Sequence, residues 1–332
     1  MRRLWLFGVC VPLLSAACGG DLSSSDGAAD ASTDTSGDGD GDGDGDGDGD
    51  GDGDGDGDGD GDGDGDGDDM VCARWNDDTA DLSEGAWTGS VATCDAGDMD
   101  AAWRERNLRS VNLQRWLAGL PPVGTEASRD AAAQACALMM DANDTLSHFP
   151  PSSWTCHTAT GAEAAGYSNI SPYPAVSSVG LYMDDPGNAT TFGHRRWILS
   201  NSLGPIGLGS TDTYSCMYVV YGTQDAGAAW TAWPAPGLFP IGAMSQSWSS
   251  VDETGWTIQS DTINLSGATA TITADGSELN VLTESLLDGY GSEWAISVVP
   301  QGWVAQAGTT YHVSLAGIST PIEYDVQMLD CG

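Results

Sequence analysis

Apolar residues recur at helical spacing in the middle of the chain. Between Ala101 and Leu120 they fall mostly three or four positions apart, and Gly119 with Pro121 supplies a stop signal. The same spacing marks an alanine-rich stretch, which places His148 on the loop just beyond it. The pattern predicts four helices, at residues 101–120, about 128–142, 174–183 and 193–199.

After residue 205 the period of the pattern changes to two, which is typical of strands. Two strands are predicted at 206–209 and 215–221, and six short runs follow at 262–265, 268–273, 279–282, 294–299, 311–315 and 322–328. This density of short strands and turns favours a β-sandwich of the immunoglobulin or fibronectin type. Four tryptophans are expected in its core or at its junction with the helical part, while a sugar-stacking platform is the alternative: Trp248, Trp256, Trp294 and Trp303. The fold class is therefore α+β.

The first 17 residues have the pattern of a secretory signal. Arg2 and Arg3 precede an apolar run that is too short to span a bilayer, and small residues follow it. Cys18 comes directly after these small residues, as in a bacterial lipobox, which predicts that Cys18 is lipidated and anchors an exported protein at the cell envelope, at the outer membrane or cell surface. Ordinary signal cleavage without lipidation is the alternative.

Residues 18–69 are dominated by sixteen consecutive Gly-Asp pairs. Such a segment has no apolar side chains to bury, so it is expected to form a disordered stalk. Of the 49 acidic residues 21 lie between Gly19 and Asp69, so 28 remain after the stalk, against eight arginines and no lysine. This acidity argues against nucleic acid as a partner and against membrane contact other than the lipid anchor.

Six cysteines remain after the signal and Cys18, an even number that is typical of disulfides in an exported protein. Six cysteines allow fifteen pairings. Proximity along the chain favours Cys72 with Cys94 and Cys136 with Cys156, which leaves Cys216 with Cys331. Cys72 and Cys94 would lie in an N-terminal extension over residues 70–100.

Several segments in order resemble the CAP superfamily, which comprises cysteine-rich secretory proteins, antigens and pathogenesis-related proteins. They are the opening helix with RNLRSVNLQRWLAGLPPV, Ser147-His148 after the alanine-rich helix, the run Gly166 to Ile170, and GHRRWIL from Gly193 followed by Gly207-Leu208-Gly209. The resemblance implies an α-β-α sandwich over residues 101–225, with the β-sandwich over 226–332 outside it.

The resemblance also implies a central cleft with two histidines and two acidic residues. His148 and His194 match the two histidines. Ser168 stands where the first glutamate is expected, and Asp185 is the choice for the second. Glu163 could replace the missing carboxylate from a nearby position. Arg195 and Arg196, beside His194, are expected at the surface.

His148 and His194 could hold Zn²⁺ together with one or two carboxylates, although the loss of an oxygen ligand weakens such a site. Three functions stay open: binding of an extracellular lipid, peptide or glycan without turnover; zinc-assisted hydrolysis of peptides in the same cleft; and an adhesion or spacer role with a vestigial cleft. A Ser-His-Asp triad built on Ser168 is disfavoured because no GxSxG motif accompanies it.

Overall fold

The computed structural model describes residues 65–332 except residue 221. The predictions on the signal, on Cys18 and on most of the stalk therefore lie outside the described residues. The described part contains seven α-helices and twelve strands. The helices are α1 (Gly65–Thr79), α2 (Ala101–Leu117), α3 (Ala127–Asn143), α4 (Ala159–Gly166), α5 (Ala175–Asp184), α6 (Gly193–Ile198) and α7 (Val251–Thr254).

The first three strands form one small sheet. They are β1 (Ser168–Ser171), β2 (Gly207–Ser210) and β3 (Ser215–Tyr218), in the antiparallel order β1-β3-β2. Side chains alternate across β3, so that Cys216 packs in a cluster with α3 and α4, whereas Met217 packs in the main core with α2 and α5. Helices therefore cover both faces of this sheet, and α2, α3, α5 and α6 lie where the sequence predicts them.

The remaining strands form two sheets. The strands are β4 (Thr231–Trp233), β5 (Gly237–Pro240), β6 (Trp256–Ser260), β7 (Thr269–Ala274), β8 (Ser277–Leu279), β9 (Val281–Ser285), β10 (Trp294–Pro300), β11 (Thr310–Ala316) and β12 (Ile322–Leu329). One sheet has the order β4-β6-β10-β9 and the other β5-β12-β11-β7-β8. The ring of Trp256 on β6 lies 5.7 Å from that of Tyr311 on β11, edge to face, so the two sheets share a core.

The structure confirms the α+β class with a β-rich C-terminal part. The immunoglobulin or fibronectin identity of that part stays a prediction, as does a domain boundary at residue 225. The main core contains residues from both sides of this position, among them Val179, Met217, Trp256 and Val313. Strand β6 lies between the two parts and is buried along its whole length.

Thr257 and Gln259 explain why β6 can carry buried polar residues on one face. Thr257 Oγ1 accepts a hydrogen bond from Arg195 at 3.4 Å, and Gln259 Nε2 donates to the carbonyl of Leu199 at 2.7 Å. These partners lie on or just after α6. The polar face of β6 therefore satisfies its hydrogen bonds against the helical part rather than against water.

The predicted disulfide pairing is wrong, although all six cysteines form disulfides. The bonds are Cys72–Cys331, Cys94–Cys156 and Cys136–Cys216. Proximity along the chain misleads because the cost of closing a loop grows only slowly with its length, whereas the packing of α3 on β3 brings two cysteines into bonding distance.

Four further expectations differ from the structure. The last five stalk residues belong to α1, which Trp75 and the Cys72–Cys331 bond hold against the body. Residues 262–265 form no strand; their chain turns, with Ser260 Oγ accepting from Thr262 N and Ile263 N. The run 279–282 is divided between β8 and β9. Trp248 is 65% exposed instead of buried, because it lies on the loop between residues 244 and 251.

None of the helices between residues 65 and 332 combines the length and the apolar character needed for a membrane span.

Candidate functional site

Asp185 and His194 form the centre of the candidate site. Asp185 follows the last residue of α5 in a left-handed conformation, with φ of 49°, and its side chain is completely buried. Its Oδ1 lies 2.8 Å from His194 Nδ1. The His194 side chain is 25% exposed, so the pair joins a buried carboxylate to an imidazole that reaches solvent.

Four donors surround the Asp185 carboxylate. Oδ2 accepts from the backbone N–H groups of His194 at 3.1 Å and Arg195 at 3.4 Å, at the first turn of α6. Oδ1 accepts from Asn188 Nδ2 at 2.7 Å in addition to His194 Nδ1. Because a carboxylate accepts, His194 Nδ1 carries the proton, and Nε2 of the neutral ring keeps its lone pair.

Three further side chains contact His194 or its neighbour Gly193. The ring of Tyr182 on α5 lies 5.0 Å from it, and Asn169 Nδ2 on β1 donates to the His194 carbonyl at 3.0 Å. Tyr290, from the C-terminal part, packs beside Gly193: a Cβ added there would lie 2.8 Å from the Tyr290 ring. Tyr182 therefore packs against the ring, while Asn169 and Tyr290 hold the backbone at residues 193 and 194.

His148 lies on the loop after α3 and is exposed, with Nδ1 2.8 Å from the carbonyl of Ala165. A carbonyl can only accept, so Nδ1 carries the proton and Nε2 is the free nitrogen of the neutral ring. Partial desolvation lowers the pKa of His148 below its usual value; the Ala165 carbonyl opposes this, and the charge of His194 lowers the pKa further. His148 therefore lies within electrostatic reach of His194.

The coupling between the two histidines gives a direct test. We expect His148 to titrate below pH 6.5 in NMR spectra and to titrate at higher pH in a His194→Ala variant, because the electrostatic effect of His194 on its pKa is removed. A folded-state pKa below the unfolded value means that the stability contributed by neutral His148 is present above pH 6.5 and is lost as the pH falls through its folded pKa. An unchanged titration of His148 in the His194→Ala variant would contradict an electrostatic interaction between the two rings.

Ser168 and Glu163 do not join this cluster through any recorded bond among residues 65–332. Ser168 is buried on β1, and its Oγ has no hydrogen-bond partner in the described part of the chain. Glu163 is exposed on α4, where its charge acts on Tyr218. The expectation of surface positions for Arg195 and Arg196 is wrong, because both side chains are buried and bind backbone carbonyls of neighbouring segments.

Zinc does not fit the donor set of this site well. Among residues 65–332 no group of three His, Cys, Asp or Glu side chains is placed to hold a metal ion. Both oxygens of Asp185 already accept from four protein donors, and Ser168 replaces the carboxylate that the resemblance implies. Two imidazoles alone fall short of the three protein ligands of catalytic zinc sites. We therefore derive no step through zinc, and its binding stays a prediction.

Sequence reasoning missed three residues of the site: Asn188, Tyr182 and Tyr290. Asn188 stands close to Asp185 and carries the turn signal Pro-Gly-Asn, which could have indicated a side chain that binds a neighbouring acid. Tyr182 falls on the buried face of a predicted helix, where a core role is the natural expectation. No local signal connects Tyr290 with a motif almost a hundred residues earlier.

Comparison with known families agrees with the helical part of the chain. Residues 108–225 match the model of the cysteine-rich secretory protein family, CAP. Searches of curated proteins and of solved structures each gave no match. The matched segment runs from α2 past β3 and includes His148, Ser168, Asp185 and His194. The match supports a CAP superfamily domain in this part of the chain.

Proposed function

We propose that this protein is an exported, lipid-anchored protein that binds an extracellular ligand at the His194–Asp185 site without converting it. The observation that carries the proposal is the buried Asp185 carboxylate, which accepts from Nδ1 and the backbone N–H of His194 and so holds this side chain, 25% exposed, in one orientation. An imidazole held in this way accepts a hydrogen bond from a ligand at Nε2 without losing further side-chain entropy.

The surroundings support binding rather than turnover. Both oxygens of Asp185 are occupied by protein donors, so the carboxylate orients His194 and has no free oxygen with which to act as a second base. Ser168 supplies no carboxylate either. The CAP-type domain and the three disulfides fit an extracellular protein, in agreement with the proposed export.

The full-length protein can be screened against arrays of lipids, peptides and glycans, with His194→Ala and Asp185→Asn as test variants. We expect a retained ligand to lose at least about tenfold in affinity in either variant, since a hydrogen bond to a charged or oriented partner contributes about 1.5–3 kcal/mol. Mass spectrometry of the released ligand should find it intact.

His312 and Asp325 provide a matched control. Their side chains form the same kind of pair, with Nδ1 2.8 Å from Oδ1, but both are largely exposed on β11 and β12. His312→Ala should therefore leave the retained ligand bound. Binding that survives both His194→Ala and Asp185→Asn would contradict the proposal and favour the adhesion or spacer role, in which the site is vestigial.

Zinc-assisted hydrolysis is the second candidate, favoured by the Nε2 atoms of His148 and His194, which have no hydrogen-bond partner among the described residues. This candidate predicts that a bound peptide is recovered cleaved, that a chelator stops the cleavage, and that His194→Ala abolishes it. Cleavage that persists in His194→Ala would exclude it.

A further inference from the structure

Arg115 is a buried cation that forms no ion pair with an acidic residue in the described part of the chain. It lies near the end of α2 with 1% of its surface exposed, and it donates to three backbone carbonyls: Nε to Pro121 at 2.9 Å, and Nη1 to Ile198 at 2.7 Å and Ser200 at 3.0 Å. Burial lowers its pKa to about 10, and no acidic residue offsets this effect. A buried guanidinium without a counter-charge is costly.

The two other buried arginines near α6 differ in this respect. The charges of Asp184 and Asp185 act on Arg195, and that of Asp288 acts on Arg196, in each case favouring the charged form. The hydrogen-bond acceptors of Arg115 among the described residues are all backbone carbonyls. The lack of compensation is therefore specific to Arg115 among these three side chains.

One donor group of Arg115 is left without a partner. Within residues 65–332 Nη2 donates no hydrogen bond, whereas Nε and Nη1 bind three backbone carbonyls. Arg115 lines a cavity of about 120 Å³. The cavity opens beyond the end of α6 opposite to His194, and neither His194 nor Asp185 lines it.

The walls of this cavity are mostly apolar. They include Pro121, Val123, Leu203 and Pro205, with the amide of Gln224 at the rim. One enclosed cation with aliphatic walls suits a ligand that has one anionic group and a short apolar tail. A phosphate ion would demand more donors than Arg115 and Gln224 provide.

Asp225 is the opposing charge at this rim. Its Oδ1 accepts from Asn201 Nδ2 at 3.0 Å and from the N–H of Gly227 at 2.8 Å, which holds the carboxylate against the loop. The acidity of the whole folded part also disfavours non-specific anion binding. An anion that enters this cavity must therefore be retained by the local contacts with Arg115.

We propose that this cavity binds a small aliphatic monocarboxylate, whose oxygens accept from Arg115 Nη2 and whose tail packs on the proline, valine and leucine walls. The site is separate from the His194–Asp185 site and does not depend on the function proposed there. The binding supplies the counter-charge that Arg115 lacks.

The test uses the full-length protein and propionate as the probe, followed by ligand-observed NMR at constant ionic strength. We expect saturable binding in the millimolar range, at one site per chain. Propionamide, which has the same shape without the charge, and inorganic phosphate should bind at least about tenfold more weakly, as expected for the loss of a charge-assisted hydrogen bond or of apolar contact.

Four variants locate the site. Gly124→Leu adds a large side chain to an exposed residue that lines the cavity, where an added Cβ meets no atom within 4 Å, and Arg115→Gln removes the cation; both should abolish binding. Asp225→Asn should strengthen it severalfold by removing repulsion. Arg129→Gln is the matched control: Arg129 also binds a cavity carbonyl, that of Pro205 at 2.5 Å, but it pairs with Glu126 and should leave binding unchanged.

Gly124→Leu keeps the test decisive if Arg115→Gln fails to fold, because it leaves all hydrogen bonds of Arg115 in place. The proposal is overturned if propionate does not saturate, if propionamide binds equally well, if phosphate binds in preference to propionate, or if Gly124→Leu binds propionate as the unaltered protein does.

Discussion

Replacing Arg195 by methionine is expected to lower the free energy of unfolding by about 3–5 kcal/mol, a large part of the stability of an ordinary domain. Arg195 is completely buried and joins three elements. Its Nε donates to the carbonyl of Met183 at 2.5 Å on α5, and its Nη1 donates to the carbonyl of Gly255 at 2.6 Å, directly before β6. Methionine fills a similar volume but leaves these buried carbonyls without donors.

Urea denaturation, followed by the fluorescence of the tryptophans, measures the loss. Arg195→Lys should be nearly as unstable, because a single ammonium cannot reach the carbonyls on both sides of the side chain. The control is Arg106→Met: Arg106 is partly exposed and donates to the carbonyl of Ser83 at 2.8 Å, so its loss should cost less than about 1 kcal/mol. A loss below about 1 kcal/mol in Arg195→Met would contradict the structural role.

The burial of Arg195 is a feature that the sequence did not predict. Two adjacent arginines on a short helix normally point to solvent, and the sequence of α6 contains no sign of what covers it. The cover is β6, more than fifty residues later, together with the loop after β9 that Arg196 holds through the carbonyl of Leu287 at 2.7 Å. Burial of these side chains is a property of the assembled chain and not of the motif.

The elements with strong local signals were predictable. The α2 and α3 helices have long periodic patterns, and the strands β11 and β12 alternate over seven or eight residues. Residues 262–265 have the same composition as a strand, but their backbone donors bind the Ser260 hydroxyl and form a turn. Helix α1 has little apolar periodicity and depends on contacts of Trp75 and on a disulfide, which no local pattern reveals.

For the candidate site, the sequence placed His194 and Asp185 as partners only through a family resemblance. Their direct contact arises because the left-handed residue Asp185 ends α5 and the next turn returns the chain to the start of α6, nine residues later. Sequence spacing allows many such returns. The orientation of the imidazole, which decides which nitrogen is free, depends on hydrogen bonds that require coordinates.

Removing the Cys136–Cys216 bond is expected to have the second large effect, a loss of about 2–5 kcal/mol on unfolding for the Cys136→Ala/Cys216→Ala pair. Both cysteines are buried, in the small core between α3, α4 and the first sheet. Their replacement therefore removes the constraint on the unfolded chain and also leaves space in a core made mainly of alanines, which cannot rearrange to fill it.

The other two disulfides distinguish these causes. If the constraint on the unfolded chain dominated, the loss would increase with the length of the closed loop, so that Cys72–Cys331, with a separation of 259 residues, would cost most and Cys94–Cys156, with 62, least. If local packing dominates, as we expect, both of these partly exposed bonds cost less than Cys136–Cys216. Urea denaturation of the three paired variants gives the order of the losses. A largest loss for Cys72–Cys331 would contradict the packing explanation. Packing predicts that α1 detaches alone when this bond is removed, whereas a largest loss would mean that α1 unfolds together with the whole body.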